Sequence, residues 1–498
     1  MADVYSQFVD CLRPQADLAA ALSLLEWDQE TYMPEGAIEG RARQIGTLAG
    51  LLHERQTAPQ FVALVDQLAA RIDELSPEQA VDVRETKWRL DRKCALDVDL
   101  VQRRSELHAQ ARAVWVSARQ AGDFQALAPF LQRIVDLERE VAKRIDPQRL
   151  AYDVLLEEFE PSATTSGLEN VLGQLRQGLM PLVERLRHLV DRGEHQSRAL
   201  HGDFPIETQR RFNLMVAVAL GFDLRKGRLD EAAHPFSTSL GDDQRITTRY
   251  DATSLTYALY STIHETGHAL YEQGLDRQAW GLPRGQSCSL GIHESQSRLW
   301  ENLVGRSEAF WHYLLPLAKE HFPSLKSAQV DDVLRVVNDA RPSLIRTESD
   351  EITYNMHIIL RFEIERALID GTLVVADLPE VWEEKMEEYL GVVPDNDRVG
   401  VLQDVHWASG AIGYFPTYSL GNIYAAQMLE AAEADVGPLG PQIERGDFRP
   451  LLGWLRQNVH RRGQSLRPEA LVTAATGRPP SPKALLEHLG RRLAILES

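Results

Sequence analysis

The segment His264-Glu265-Thr266-Gly267-His268 constrains this 498-residue chain more than any other. On an α-helix, histidines four apart lie one turn above each other on a single face, and a glutamate beside the first projects next to them. Two metal ligands and a base for a bound water are brought to one point, which is the arrangement of a zinc hydrolase. The surroundings read as helix. Asp251, Thr253 or Ser254 supply capping chemistry, and Leu255, Ala258, Leu259, Thr262, Ile263, Ala269 and Leu270 form an apolar stripe at helical spacing before Gly274 stops the run. The histidines fall beside that stripe, near its polar margin. The bare pattern is a modest signal, recurring by chance in roughly a few per hundred chains of this length. The bland reading is two histidines decorating an amphipathic helix.

A catalytic zinc needs three protein donors and one open position for water, so another element must supply the third. The segment 291–302 offers one at Glu294, 26 positions after His268. That interval suits a second helix folding back after a loop, for which Trp280-Gly281-Leu282-Pro283-Arg284-Gly285 is the candidate. On spacing alone His293, Glu294 and Glu301 are all eligible. A solvated or salt-bridged helix face is the bland account of these carboxylates.

Elsewhere the chain reads as mostly helix. Ser76-Pro77-Glu78-Gln79 carries a capping residue, Pro at the first helical position and a capping-box Gln. Further helices are expected near 3–25, 37–56, 97–121, 123–144, 166–192, 206–219, 351–370, 379–390 and 418–435, several ending at Gly122, Gly193, Gly371, Gly391 or Gly437. Arg478-Pro479-Pro480-Ser481-Pro482 reads as a turn before a final helix. Strand signals are few: Arg245 to Tyr250, where β-branched residues cluster, and the short piece around Ser289-Leu290-Gly291-Ile292. These predict a small sheet lining a cleft. No repeat of fixed period occurs, which disfavours a solenoid. The expectation is one mainly α-helical domain over 1–498, with two halves around a deep groove and a small β-sheet beside the histidine helix.

Lys+Arg of 54 against Asp+Glu of 73 gives a net charge of -19, which argues against nucleic acid or an anionic membrane as partner. Three scattered cysteines, Cys11, Cys94 and Cys288, suggest free thiols in a reducing compartment, with Cys288 an inert buried thiol. The opening Met1-Ala2-Asp3-Val4-Tyr5 has no basic region followed by an apolar core, and no run approaches a membrane-spanning length. A cytoplasmic protein is expected.

Six separated blocks resemble the carboxypeptidase Taq family of zinc metallocarboxypeptidases: His234-Pro235-Phe236, Asp243-x-Arg245-x-Thr247, the His264 to His268 block, His293-Glu294-Ser295-Gln296, Ile345-Arg346 through Asp350, and Gly400-x-x-Gln403-Asp404-x-His406-Trp407. Trp27 to Pro34 with Arg41-Ala42, and Tyr152 to Leu156 with Glu160-Pro161, are similar to the family's opening signatures, so the resemblance spans nearly the whole chain. One departure is Ser349, where the family usually has Ala.

The resemblance implies a distal glutamate, Glu294, as the third ligand, with one Zn2+ per chain, Co2+ being an acceptable substitute. Glu265 is then base toward the metal's water and acid toward the leaving amine. The oxyanion needs a further donor, and the stretch from Tyr414 to Tyr418 is its source, Tyr418 first and Tyr414 second. A carboxypeptidase must also read a free α-carboxylate, which rewards a fixed guanidinium; Arg346 is the candidate. Asp350, Gln403, Asp404 and His406 are expected to orient that pocket or back the metal ligands. His234 is expected to touch the peptide backbone, and the resemblance implies that Asp243, Arg245 and Thr247 sit toward the far end of the groove and limit peptide length. The implied activity is removal of single C-terminal residues from short peptides, with broad specificity, C-terminal proline resisted, and a homodimeric assembly. A helical oligopeptidase or dipeptidyl carboxypeptidase is the alternative within hydrolases, and a catalytically silent peptide-binding scaffold is the alternative outside them.

Overall fold

The computed structural model describes residues 2–191, 200 and 202–497. The fold is mainly α-helical with one three-stranded sheet. Backbone proximity divides the chain into two compact units, each assembled from separated stretches: Met1–Asp91, Ser197–Val337 and Met428–Pro479 form the first, and Arg92–Gln196, Asn338–Gln427 and Pro480–Ser498 the second.

The helices form where apolar periodicity and caps place them. Helix Pro77–Cys94 opens on the expected capping box, the Ser76 hydroxyl accepting from the Gln79 amide at 3.3 Å while the Gln79 side chain accepts from the Ser76 amide at 3.1 Å. Asp97 caps Val98–Ala121, which Gly122 ends in the left-handed conformation at φ 68°. The stop expected at Gly193 lies outside the described residues.

In the first unit the sheet comprises β1 (Gly227–Glu231), β2 (Ser237–Ser239) and β3 (Gln244–Thr248), in the order β1-β3-β2. β3 is central, parallel to β1 (Gly227 opposite Gln244) and antiparallel to β2 (Ser237 opposite Ile246). Only β3 was legible as a strand, because β2 has three residues and β1 carries alternating charge. Ile246 is fully buried in a cluster with Ala217, Phe222 and Ala269, which fixes the sheet against helix Thr256–Gly274. The Thr248 and Ser261 hydroxyls, 2.5 Å apart, pin the end of β3 to the same helix.

Two local expectations are corrected. Ser289 to Ile292 is not a strand: the Ser289 hydroxyl accepts from the Ile292 amide and starts helix Leu290–Arg298, so the serine acts as a cap. Nor do Asp251, Thr253 or Ser254 cap the histidine helix, which begins at Thr256 with no side-chain cap. Asp251 instead accepts from the Thr253 amide and hydroxyl in the turn that precedes it.

Candidate functional site

Helix Thr256–Gly274 presents His264, Glu265, His268 and Glu272, and helix Leu290–Arg298 presents Glu294. The two helices cross closely at Gly267. A Cβ there would stand 2.6 Å from both the Gln296 carbonyl oxygen and the Ser297 Cα, so only glycine lets the second backbone approach. This crossing delivers Glu294 to the histidines: its Oε2 is 3.9 Å from His264 Nε2 and 3.6 Å from His268 Nε2. One donor atom from each of the three lies within 4.8 Å of the others, a spacing able to hold a metal ion.

Each donor is aimed by a partner behind it. Arg298 Nε holds Glu294 Oε1 at 2.6 Å, turning Oε2 toward the imidazoles. His264 Nδ1 lies 2.8 Å from Glu301 Oε2, a carboxylate that fixes the tautomer leaving Nε2 free to ligate. Glu301 sits on a π-turn, Leu299–Val304, whose signature is the Gly305 amide donating to the Trp300 carbonyl. His268 Nδ1 is backed by an imidazole, His293 Nδ1 at 2.6 Å, whose Nε2 in turn lies 3.1 Å from Glu272 Oε1. The spacing left His293, Glu294 and Glu301 as equal candidates; the structure turns Glu294 inward and sets the other two behind the histidines.

The electrostatics of the cluster call for a cation. Burial disfavours a proton on His264, yet its bond to Glu301 and the charges of Glu294 and Glu301 outweigh that and push its pKa up to about 9. Burial holds His268 well below the ordinary histidine value, with His293 and His264 adding to it. At Glu301 the bond to His264 and the charge of Arg298 overcome burial and hold the carboxyl well below the usual range. Burial pushes Glu265 up to about 7, against the charge of His264. A donor set that draws a positive charge onto its own ligand suits a divalent ion, which binds by displacing such protons. Strand β2 touches the same helix face: Ser237 hydrogen-bonds Glu265 and Ser239 hydrogen-bonds Glu272.

In the second unit a polar cluster gathers Arg346, Gln403, Asp404, His406, Tyr414 and Tyr418. Arg346 lies in the short turn Arg346–Glu348 and is 6% exposed. Its Nη2 donates to Asp404 Oδ1 at 2.8 Å, its Nη1 to the Tyr354 hydroxyl at 3.1 Å, and its guanidinium stands 5.0 Å from the Tyr418 ring centre. Gln403 is fully engaged, accepting from the Arg346 amide and donating to the carbonyls of Leu344, Val399 and Gly400. The His406 ring packs 4.5 Å from Phe415 and 5.2 Å from Tyr414, and burial pushes its pKa down to about 4. Asp350 stands apart from this cluster in its bonding: in the turn that precedes helix Tyr354–Asp370 it accepts from the Ile352, Thr353 and Arg341 amides and the Thr353 hydroxyl.

The remaining predicted residues are in the first unit. His234 is exposed. Arg245 pairs with Asp243 at 2.7 Å and stacks 4.1 Å from the Trp27 ring, tying the opening signature to the sheet. Thr247 is fully buried, its hydroxyl accepting from the Phe236 amide and donating to the Phe236 carbonyl. Sequence reasoning missed Arg298, Glu272 and Arg361. For the first two a signal existed, since Arg298 follows Glu294, and Glu272 follows His268, by one helical turn.

The comparisons agree along the whole chain. Residues 7–493 match the carboxypeptidase Taq (M32) metallopeptidase family. The chain is 42% identical over 504 residues to Thermostable carboxypeptidase 1 of Thermus thermophilus, covering 99% of this chain and 98% of that one. It superposes on the crystal structure of M32 carboxypeptidase from Deinococcus radiodurans R1 with a TM-score of 0.96 and 40% identity over 100% of both chains. Metallocarboxypeptidase 1 of Trypanosoma cruzi gives 0.96 and 33%, covering 99% of this chain and 100% of that one. A histidine-glutamate cluster fit for a divalent ion, on a helical frame shared end to end with these enzymes, makes this chain a metallocarboxypeptidase of the carboxypeptidase Taq (M32) family.

Proposed function

We propose that His264, His268 and Glu294 hold one zinc ion, for which cobalt can substitute, and that the enzyme removes single C-terminal amino acids from short peptides. The observation that carries this reading is the approach of Glu294 Oε2 to both imidazole Nε2 atoms, with Arg298 and Glu301 fixing the outward edges. A divalent ion bound there supplies Lewis acidity and lowers the pKa of a water. Glu265 takes the proton from the attacking water and passes it to the leaving amine; a carboxyl titrating near 7 suits both duties. Tyr418, with Tyr414 second, donates to the developing oxyanion.

Arg346 reads the free α-carboxylate. Its guanidinium is held by Asp404 and Tyr354, and Gln403 fixes its backbone, so little entropy remains to be lost on binding. His406 stays neutral beside it. Asp350 acts through the turn it holds before helix Tyr354–Asp370. His234 contacts the peptide backbone; Asp243 and Arg245 limit peptide length, with Thr247 acting through the Phe236 backbone it holds. Broad specificity, resistance of C-terminal proline and a homodimer follow from the family resemblance. Three cysteines without disulfides suit a cytoplasmic enzyme. Among the described residues no helix is long and apolar enough to cross a membrane.

Mass spectrometry of an N-blocked peptide digested by zinc-loaded and chelated enzyme tests the proposal. Stepwise loss of single C-terminal residues, abolished by chelation and restored by zinc, is expected. Release of C-terminal dipeptides or internal fragments would establish the oligopeptidase alternative.

A further inference from the structure

The Arg346 cluster is unbalanced in charge. Asp404 is gripped from two sides: Arg346 Nη2 donates to Oδ1 at 2.8 Å and its Nε to Oδ1 and Oδ2 at 3.1 and 3.3 Å, while Arg361 Nε donates to Oδ2 at 2.8 Å. Arg361 is fully buried on helix Tyr354–Asp370, its Nη1 donating to the His357 carbonyl and its Nη2 to Gln403 Oε1. Its face rests 4.6 Å from the Trp382 ring centre and 5.2 Å from Phe415. Two guanidiniums therefore share one carboxylate. The neighbouring titratable groups do not close the gap. Burial pushes His406 down to about 4 and holds His357 well below the usual histidine value, so both are neutral. Burial pushes Glu365, one turn beyond Arg361, up to about 7 against the bonds from Trp407, Tyr152 and the Gly413 amide and the charge of Arg361, so below that pH it is mostly protonated and brings little compensating charge. Burial, which disfavours an unpaired charge, pushes Arg361 itself down to about 10.

A buried, uncompensated positive charge is costly unless something of opposite sign arrives. We propose that Arg361 is a positioning residue for recognition of the substrate's terminal carboxylate: by sharing the single charge of Asp404 it keeps that carboxylate from fully neutralising Arg346, so the pocket holds one positive charge for an incoming anion. Arg361 is too buried to touch substrate and acts through Asp404 and Gln403, both of which also hold Arg346. The inference rests on the reading of Arg346 given above.

The test is inhibition by a reduced-bond, N-blocked dipeptide offered as the free acid and as the C-terminal amide, in zinc-loaded full-length enzyme. Arg346→Met abolishes the wild-type preference for the acid. Arg361→Met weakens acid binding by roughly 10- to 100-fold, amide binding and kcat on a saturating peptide staying near wild type. Arg361→Met/Asp404→Asn removes one charge of each sign and recovers most of the acid preference, which a merely structural role would not produce. Arg361→Lys keeps the charge and stays within a few-fold of wild type. An acid-to-amide ratio unchanged in Arg361→Met, with Arg346→Met still abolishing it, overturns the role of Arg361 alone. A ratio unchanged in Arg346→Met overturns the reading of Arg346 and this inference with it. Should Arg361→Met not fold, Asp404→Asn decides against the double variant: a ratio roughly tenfold higher in Asp404→Asn supports the proposal, and equal ratios overturn it.

Discussion

The histidine cluster of the first unit and the arginine cluster of the second are built alike and charged oppositely. In the first, carboxylates outnumber their cationic partners, so much so that His264 is driven toward its protonated form. In the second, two guanidiniums share Asp404. Each recognition group has one edge held by an opposite charge: Glu294 by Arg298, Arg346 by Asp404. The pairing orients the group without cancelling the surplus of the cluster. The surplus suits the guest proposed for each, a divalent cation in one case and a carboxylate in the other. The clusters differ in how they are assembled. Residues 264 to 301 supply the first from two crossing helices, whereas the second draws on the turn at Arg346, the helix carrying Tyr354 and Arg361, the loop at Asp404 and the start of helix Pro416–Val436.

The largest effect expected bears on which carboxylates hold the ion and which do chemistry. Glu265→Gln removes a proton carrier and leaves the three ligands, so kcat should fall roughly 10²- to 10⁴-fold while zinc content measured by mass spectrometry stays near one per chain. Loss of zinc along with turnover would move Glu265 into the ion-holding set and break the contrast. Next in size, Glu301→Gln withdraws the charge behind His264 and should weaken zinc about 10- to 100-fold in chelator competition. His293→Gln, whose counterpart at His268 is an imidazole with its carboxylate one step further off, should cost less. The reverse order would show that proximity of negative charge does not set affinity here. Gly267→Ala should then cost about 1–3 kcal/mol of stability and some zinc affinity, because the added methyl meets backbone on the neighbouring helix. A variant with unchanged melting temperature and affinity would mean the crossing can relax.

How legible each cluster was in the sequence follows from the same difference in assembly. Helical periodicity turns spacing into geometry, so His264, Glu265 and His268 could be placed on one face before any coordinates, and the loop before Ser289 fixed which way the next helix ran. Spacing could not choose among His293, Glu294 and Glu301, because that choice depends on the rotation of the second helix about its axis. Contact at Gly267 and the π-turn at Leu299–Val304 set that rotation, and neither has a local signature. Ser289 was misread for a similar reason: a serine before Leu-Gly-Ile fits a short strand or a helix cap, and the packing that decides lies elsewhere. In the arginine cluster only the blocks resembling a family pointed to Arg346 and Asp404. Arg361 lies in an ordinary apolar helix pattern, where a lone arginine reads as surface, yet it is fully buried.

The last effect, confined to one pH window, concerns the framework of the second unit, where Glu365 is buried among donors rather than opposed by a paired cation. Trp407 Nε1 and the Tyr152 hydroxyl donate to it at 2.8 Å, and the Gly413 amide at 3.0 Å, yet burial still pushes its pKa up to about 7. An unfolded glutamate titrates near 4.3. The folded form therefore holds its proton where the unfolded form has lost it, and stability from this group is fully present below about 4.3 and lost as pH rises to about 7. The shift corresponds to a loss of a few kcal/mol, of order a few degrees in Tm for a body this size. Glu365→Gln cannot ionise, so its Tm relative to wild type should climb between pH 5 and 8 and level off above that. A difference flat across the range would mean the three donors keep the carboxylate ionised throughout. Buried anions in both units would then be stabilised by directed hydrogen bonds as effectively as by the arginines behind Glu294 and Glu301.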